Sequence, residues 1–393
     1  MISRRTILLG SAGAAIGVLA GCSQPDRESS GSTPTPDART PGATMSDLPS
    51  AAASSEAATP SPRPRPSTTR APNPRAAGVI ADDLDVLWGI AFMKSGAAVV
   101  SERNSGRLLK ITGEGKITEL GTVSGVEAPS GIGEGGLLGI ALAPGDEDTL
   151  FAYYTSASDD RVVRVSLDGR RVGRPRLLVG DIPTSTHHHG GRLLVDADGM
   201  IFVSTGDAER SDLAQRKDSL AGKILRIRPD GRAAAGNPFG NRTWSYGHRN
   251  IEGLAFDDAG RLWATEFGEK RADELNWIRR GRNYGWPEVE GRSADDRFTR
   301  PKTTWSPTSS CSPAGLAITR STAFIGALQG KCLFAVPLDR TDAGKPRAHF
   351  RGDYGRIRGV EVAPDGALWM TTSNTDGRAE PGRHDDKILR VTL

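Results

Sequence analysis

The chain has 393 residues, of which 37% are hydrophobic and 25% charged, with a formal net charge of +4. This charge is weak for the length, and the basic residues are dispersed along the sequence rather than collected in one patch. Proteins that bind nucleic acid concentrate Lys and Arg on one face or segment. Composition and charge therefore argue against a nucleic-acid partner.

Residues 1–21 are typical of an export signal. Arg4 and Arg5 precede an apolar run from Ile7 to Gly21, as in twin-arginine signals. A transmembrane anchor is the alternative, but the run spans 15 residues (21 − 7 + 1), short of the ~20 that cross a bilayer. The run ends in Leu-Ala-Gly-Cys22, which resembles the lipobox of bacterial lipoproteins and implies a diacylglycerol on Cys22. We expect the protein to be exported and lipid-anchored to the outer face of the bacterial cytoplasmic membrane.

Residues 22–77 hold the lipidated cysteine and a stretch rich in Ser, Thr, Pro and Ala. Such a composition cannot bury enough apolar surface to offset the entropy of ordering the chain. The sequence therefore predicts a disordered tether that holds the folded domain clear of the membrane.

From residue 78 to residue 393 the sequence shows short apolar strands separated by turns. One pattern recurs six times, a glycine that opens an apolar strand followed by a turn and a second strand, at Gly89, Gly139, Gly191, Gly253, Gly315 and Gly359. These glycines are 44 to 62 residues apart, a spacing that suits four-stranded propeller blades with extra length in the loops. We predict an all-β, six-bladed β-propeller; the alternative is another all-β architecture.

Several short motifs occur in a fixed order along this domain. They are Trp88-Gly-Ile-Ala-Phe with Glu102-Arg103, Gly135-Gly-Leu-Leu-Gly, His188-His-Gly-Gly-Arg-Leu, Gly206-Asp207, Gly222-Lys-Ile-Leu-Arg, Tyr246-Gly-His-Arg-Asn with Thr265-Glu-Phe-Gly, Asp273-Glu-Leu-Asn and Asn283-Tyr-Gly-Trp-Pro, and Arg356-Ile-Arg358. Together they resemble the glucose/sorbosone dehydrogenase family, whose soluble aldose dehydrogenases use pyrroloquinoline quinone (PQQ). The resemblance covers nearly all of residues 78–393.

The resemblance implies that His188 is the catalytic base, which accepts the proton of the sugar's anomeric hydroxyl as hydride leaves the same carbon. Imidazole suits this role because its ordinary pKa of ~6.5 leaves it mostly neutral at working pH. Asp207 matches a family position near the histidine and would orient the histidine or the sugar. The run of three histidines from His187 to His189 offers an alternative, a transition-metal site.

The resemblance also implies the cofactor residues. Arg249 and Asn250 would hold the polar edge of PQQ, and Arg356 and Arg358, two apart on a strand, would present both guanidinium groups on one face. The alternative for these two arginines is a solvated strand surface. Backbone carbonyls of Gly268 and Glu269 would hold the cofactor calcium, and Asp273, Glu274 and Tyr284 would form a neighbouring structural calcium cluster.

Several positions depart from the family pattern, among them Glu269, where the family usually has a proline; a backbone carbonyl ligand does not depend on that side chain. Gln329 stands where better-known members have a cofactor-contacting lysine, with Lys331 two residues on as a substitute. Glu134 replaces a glutamine of the sugar and cofactor pocket, and Glu252 occupies the segment that is usually Asn-Pro-Gln-Gly. These changes remove one positive charge and add negative ones near a tricarboxylate ligand, so we expect them to weaken cofactor binding.

With Cys22 lipidated, Cys311 and Cys332 remain as a natural disulfide pair in an exported domain, and two separately buried thiols are the alternative. Trp305 suits either a pocket wall or core packing.

The predicted function is a lipid-anchored quinoprotein that uses PQQ and calcium to oxidise the C1 hydroxyl of an aldose to the lactone, and passes electrons to an acceptor that the sequence does not identify. A calcium-dependent lactonase-type hydrolase and a non-catalytic glycan-binding propeller are the alternatives, because a fold does not fix a function.

Overall fold

The computed structural model describes residues 72–169 and 171–393. Within them the chain forms 26 β-strands and two 3-10 turns, Ser211–Ala214 and Thr308–Ser310, and no α-helix. None of these elements is a helix long and apolar enough to cross a membrane. The predicted signal peptide, Cys22 and residues 23–71 of the predicted tether lie outside the described residues.

The strands pair into six antiparallel sheets, the blades of a propeller, numbered here by chain order of their innermost strands. Blade 1 contains β2 (Leu87–Phe92), β3 (Ala98–Glu102), β4 (Arg107–Ile111) and β5 (Ile117–Thr122). Blade 2 contains β6 (Leu137–Ala143), β7 (Asp146–Thr155), β8 (Asp160–Asp168), the short β9 (Arg171–Val172) and β10 (Arg176–Ile182). Blade 3 contains β11 (Gly190–Val195), β12 (Ile201–Thr205), β13 (Lys223–Ile227) and β14 (Thr243–Tyr246).

Blade 4 contains β15 (Ile251–Phe256), β16 (Leu262–Glu266), β17 (Asp273–Ile278) and β18 (Thr303–Trp305). Blade 5 contains β19 (Pro313–Thr319), β20 (Thr322–Ala327), β21 (Cys332–Asp339), the short β22 (Asp342–Ala343) and β23 (Arg347–His349). Blade 6 contains β24 (Ile357–Val362), β25 (Leu368–Thr372), β26 (Ile388–Thr392) and β1 (Arg75–Ala81). The prediction of an all-β, six-bladed propeller is confirmed.

The ring is closed by pairing between the first and the last strand of the domain. The first strand, β1, pairs with the last, β26, in register from Arg75 opposite Thr392 to Ala81 opposite Ile388. Each innermost strand also packs against the innermost strand of the next blade, and β24 packs against β2 to complete the circle. The described strand begins at Arg75, three residues before residue 78, where the sequence pattern places the start of the domain.

The recurring glycine lies on the innermost strand of every blade, and its role is close backbone packing. A Cβ atom added at Gly139 would lie 2.2 Å from the carbonyl oxygen of Gly191 in the next blade, and one at Gly253 would lie 2.4 Å from that of Ala314. Such contacts are sterically impossible, so these positions exclude any side chain.

In several blades a buried hydroxyl on the second strand forms a hydrogen bond across the same contact between neighbouring blades. Ser101 donates to the carbonyl of Leu138 at 2.7 Å, Ser204 to that of Ile251 at 2.8 Å, and Thr265 to that of Ala314 at 2.6 Å. In each case the acceptor belongs to the innermost strand of the following blade. The hydroxyls thus tie blades 1, 3 and 4 to the blades that follow them, at the level of the glycines.

Apolar side chains fill the space between blades. Trp305 of blade 4 is buried and packs on Phe334 of blade 5 with ring centroids 5.4 Å apart, so its role is core packing rather than a pocket wall.

Cys311 and Cys332 are buried in the same apolar cluster as Trp305, as free thiols, and the expected disulfide is not formed in this structure. That expectation was based on compartment and cysteine count, which do not fix geometry. Burial raises the pKa of both thiols, that of Cys332 to about 11, so both stay protonated at neutral pH.

The hydrogen bonds of the Ser204 hydroxyl give a stability prediction. Ser204 is fully buried, and its hydroxyl accepts the Arg192 N–H at 2.9 Å as well as donating to Ile251. Ser204→Ala leaves a buried donor and a buried acceptor without partners, which should lower the free energy of unfolding by about 2 kcal/mol in urea titration. Ser309→Ala, at an exposed serine, serves as the control. A loss at Ser204 no larger than that at Ser309 would contradict this role.

Candidate active site

A cavity of about 700 Å³ opens beside blades 3 and 4. The loop before β11 carries His188, and the loop after β12 carries Asp207. Because β11 and β12 are antiparallel, the start of one lies beside the end of the other, so these loops share one mouth. Its lining residues are His188, Asp207, Glu209, Ser211, Arg249, Glu269, Lys270, Arg271, Trp286, Pro287, Glu288 and Glu290.

His188 and Asp207 form a tightly bonded pair. The imidazole Nδ1 lies 2.7 Å from Asp207 Oδ1, and the side chain of His188 is 18% exposed whereas that of Asp207 is 2% exposed. An ionised carboxylate only accepts hydrogen bonds, so Nδ1 carries the proton and Nε2 is the basic nitrogen. The structure brings together the two residues that the sequence proposed as base and orienting acid.

Trp286 is a site residue that the sequence reasoning did not single out. Its indole N–H donates to Asp207 Oδ2 at 2.8 Å, so the carboxylate is held from both sides. The ring also lies under the guanidinium of Arg249, 5.5 Å from the centroid. The available signal was its place in the motif Asn283-Tyr-Gly-Trp-Pro, of which only Tyr284 was given a role.

The neighbouring histidines do not share a ligand with His188. His187 Nδ1 contacts Glu209 at 3.2 Å, and His189 Nδ1 contacts Asp160 at 2.9 Å in a buried pair. Three adjacent imidazoles thus have three different acidic partners. This arrangement does not support the alternative of a transition-metal site at the histidine run.

Arg249 and Asn250 differ in how much of each is free for a ligand. Arg249 lines the cavity, and its buried Nε has no hydrogen-bond partner within the described residues. Its backbone N–H donates to Glu266. The side-chain oxygen of Asn250, in contrast, accepts the N–H of Gly190 at 2.8 Å, so this oxygen supports the histidine loop. Arg249 therefore offers an unused donor to an anionic ligand.

Arg358 lies on β24 and Arg356 immediately precedes it, and both guanidinium groups contact Asp376, as expected for side chains that share one face. They are 6% and 3% exposed, so the alternative of a solvated surface is wrong. Arg358 also forms an ion pair with Glu252. Neither arginine lines the 700 Å³ cavity, and the guanidinium groups of both are paired with acids of the chain.

The acidic departures from the family pattern are neutralised within the chain. Glu252 pairs with Arg358, and Glu134 pairs with Arg378 at 3.2 Å. Burial works to raise the pKa of Glu134, but the N–H of His188 and the guanidinium of Arg378 outweigh it and hold that pKa below its ordinary value. Arg378 was not identified from the sequence.

Lys331 does not reach the 700 Å³ cavity. It is exposed and lines a separate cavity of about 400 Å³, together with Gly355 and Asn374. Gln329 is exposed as well. The proposed substitution of Lys331 for the family lysine is therefore not supported by the geometry of the described residues.

The turn that carries Gly268 and Glu269 is fixed by one carboxylate oxygen. Oε1 of Glu290 accepts the backbone N–H groups of residues 269, 270, 271 and 272 at 2.7 to 3.1 Å. No hydrogen bond to the carbonyl oxygens of Gly268 or Glu269 is found among the described residues. Glu290, which the sequence reasoning missed, thus shapes a turn that has two free carbonyl oxygens.

Asp273 and Glu274 do not form one ligand cluster with Tyr284. As neighbours on β17 they point to opposite sides: Asp273 accepts the N–H of Ser312, and Glu274 accepts that of Gly291. The Tyr284 hydroxyl donates to the carbonyl of Trp277 at 2.7 Å and so is not free to bind an ion. The three side chains were expected to converge from their proximity in sequence, but strand alternation separates them.

A second group of acids does converge. Glu266 and Glu274 are directly opposite on β16 and β17, and both lie within hydrogen-bond distance of Asn276. Together with Gly268, Tyr284 and Glu290 they line a cavity of about 10 Å³, roughly the space of one water-sized sphere. Burial and the nearby Glu266 raise the pKa of Glu274, and burial raises that of Asp273 to about 7.

This set of oxygens suits a hard cation. Two buried carboxylates lie opposite each other beside this pocket; His248 Nδ1 contacts Glu266 Oε2 at 2.9 Å, and neither acid forms an ion pair with Lys or Arg among the described residues. An ion such as calcium would supply the further positive charge. The cluster lies next to the larger cavity, because Arg249, Trp286 and Glu290 line both.

Comparison with known proteins places this arrangement in a family. The family model "Glucose / Sorbosone dehydrogenase" matches residues 84–388. The aldose sugar dehydrogenase of Streptomyces coelicolor, solved in a PQQ-bound form, is 42% identical with a TM-score of 0.78, over 81% of this chain and 97% of its own. A putative oxidoreductase (glucose dehydrogenase) of Thermus thermophilus is 37% identical with a TM-score of 0.75, over 81% of this chain and 100% of its own.

Among sequence relatives, the aldose sugar dehydrogenase of Escherichia coli K12 is 29% identical over 346 residues, 76% of this chain and 90% of its own. The family model spans more than half of the sequence, from the middle of the β1–β2 loop to the first residue of β26. The chain therefore belongs to the glucose/sorbosone dehydrogenase family.

Proposed function

We propose that the protein is a PQQ-dependent dehydrogenase that oxidises the C1 hydroxyl of an aldose to the lactone. The observation that carries the proposal is the His188–Asp207 pair, which presents a basic Nε2 in a cavity that also holds an arginine with an unused donor. Family membership supplies the reaction class, and the pair supplies the base that this reaction needs.

The residues of the cavity fit an anionic, planar cofactor. The buried Nε of Arg249 has no partner, and the flat ring of Trp286 lies beneath the guanidinium, so a carboxylate or carbonyl oxygen can be bound next to an aromatic surface. When bound, PQQ supplies a two-electron acceptor for the hydride that leaves C1. Arg249 and Trp286 would hold it within reach of His188.

His188 removes the proton. Nε2 accepts it from the C1 hydroxyl as the C–H bond breaks, and the resulting imidazolium is stabilised by Asp207, which is 2% exposed and so poorly screened by water. Trp286 keeps Asp207 from rotating away from the imidazole. C1 of the sugar thereby becomes the lactone carbonyl carbon, and the proton of its hydroxyl group is left on His188.

We also propose a calcium ion near the cofactor. Hard oxygen ligands are available in the free carbonyl oxygens of Gly268 and Glu269, and in the carboxylates of Glu266, Glu274 and Glu290 that line the small cavity beside the turn. This donor set replaces the Asp273, Glu274 and Tyr284 side-chain cluster expected from the sequence.

His188→Ala should abolish turnover without abolishing cofactor binding. Loss of a general base costs about 10²- to 10⁴-fold in kcat, whereas PQQ affinity should change by less than about threefold because Arg249 is untouched. Dye-linked oxidation of a panel of aldoses, with PQQ and calcium, measures the first effect, and absorbance titration with PQQ measures the second.

His187→Ala is the matched control, since its imidazole pairs with Glu209 rather than with Asp207. Equal losses in the two variants would point to a disturbed loop instead of a missing base. Hydrolysis of lactones by the quinone-free protein would favour the hydrolase alternative, and glycan binding without any turnover would favour a binding propeller.

In the absence of calcium, the stability of the folded chain should fall as the pH rises. The pKa of Asp273 is about 7 in the folded chain against 3.8 ordinarily, and that of Glu274 is raised too, so the folded chain retains protons that the unfolded chain has lost. This stabilisation is present below about pH 4 and is lost as the pH rises through about 7. Differential scanning fluorimetry after chelation should show that trend, and saturating calcium should raise Tm by roughly 5 °C at about pH 8.

Glu274→Gln should reduce both the calcium-induced rise in Tm and the pH trend, because it removes one charged ligand. Glu114→Gln, at an exposed turn of blade 1, should change neither. A calcium effect of the same size in the Glu274 variant would place the ion elsewhere.

We further propose that the protein is exported and held at the membrane by a lipid on Cys22. The support is the sequence alone, a twin-arginine signal followed by a lipobox. In cells, Cys22→Ser should shift the protein from the detergent phase to the aqueous phase on Triton X-114 partition, because the acyl attachment site is lost. An unchanged partition would exclude lipidation at this cysteine.

A further inference from the structure

Three loops from different blades meet at the side chain of Glu134. Arg378, in the loop between β25 and β26, donates to the carbonyl of Ile132 at 2.6 Å and to Glu134 Oε1 at 3.2 Å. The other carboxylate oxygen of Glu134 accepts the backbone N–H of His188 at 3.0 Å. Arg378 and His188 thus contact the same carboxylate, although they lie in the loops of blades 6 and 3.

His188 requires such support because its backbone is strained. Its φ is +63°, in the left-handed region that side chains with a Cβ disfavour. Its carbonyl is packed so closely on Gly206 that a Cβ there would fall 1.6 Å from the oxygen, and it accepts the N–H of Ala208 at 3.2 Å. Glu134 holds the opposite, amide side of the residue.

Glu134 in turn depends on a cation. Its side chain is 25% exposed, and the buried carboxylate of Glu252 is near enough for the two charges to repel each other. Glu252 already has Arg358 as its partner. Arg378 supplies the charge and hydrogen bond that keep Glu134 ionised and directed toward His188.

We infer that Arg378 is a positioning residue, which fixes the conformation of His188 through Glu134. Its catalytic consequence rests on the proposed function, whereas the structural link does not. Because the link acts through the negative charge at position 134, the importance of Arg378 should depend on which residue stands there.

A double-mutant cycle tests this dependence. With Glu134 present, Arg378→Ala should lower kcat about tenfold at saturating PQQ, as expected for loss of a charge-assisted hydrogen bond. With Glu134→Gln in place, the same substitution should lower kcat less than about twofold, because a neutral amide can accept the His188 N–H without a cation. Arg378→Lys should retain more activity than Arg378→Ala.

Hydrogen exchange of the cofactor-free protein tests the link without any turnover. In Arg378→Ala the His188 amide should exchange at least about tenfold faster, measured by mass spectrometry on peptides that cover residues 185–192, and the acceleration should be smaller in the Glu134→Gln background. Arg383→Ala, at an exposed arginine of the same loop, is the control and should change neither exchange nor kcat.

Exchange and kcat effects of Arg378→Ala that are the same in both backgrounds would overturn the inference. If the wild-type chain oxidises no sugar, the proposed function fails and the exchange cycle alone decides the role of Arg378. Unaltered His188 exchange in Arg378→Ala overturns the inference whatever the activity.

Discussion

Backbone contact between neighbouring innermost strands is the constraint on which the rest of this molecule depends. A blade can approach the next one closely only where a glycine removes the side chain, as at Gly139 and Gly253, and a buried hydroxyl such as that of Ser204 then bridges the joint. A close backbone approach also occurs within blade 3, where Gly206 lies against the carbonyl of His188. The conformation of the proposed base therefore depends, like the contacts between blades, on a glycine that leaves room for a neighbouring carbonyl.

Charge is balanced in two different ways around the mouth. On one side, buried acids meet arginines of the chain itself, as Glu252 meets Arg358 and Asp376 meets Arg356. On the other side, Glu266 and Glu274 lie opposite each other with backbone and amide donors and the imidazole of His248, but with no ion pair to Lys or Arg among the described residues. The first arrangement is complete without a ligand, and the second suits a bound cation.

Internal pairing with arginines changes the effect on cofactor binding that is expected of the acidic departures from the family pattern. Judged from the sequence alone, Glu134 and Glu252 add negative charge near an anionic cofactor. In the folded chain each has its own guanidinium, supplied from 244 and 106 residues away. Their partners could not be found from local sequence, because loops from distant blades converge only when the ring closes. The cost expected for cofactor binding is reduced accordingly.

The sequence by itself determined the repeat, and with it the fold, because a glycine at one point of every blade is a local requirement that leaves a local trace. It also determined the chemical types at the site: a histidine with an acid, and an arginine next to a turn rich in oxygen ligands. Tertiary structure decided which of these side chains meet. Strand alternation separated Asp273 from Glu274, and long-range contacts placed Trp286 on Asp207 and Glu290 on the turn at Gly268. Such pairings depend on blade order and loop path, which no short stretch of sequence encodes.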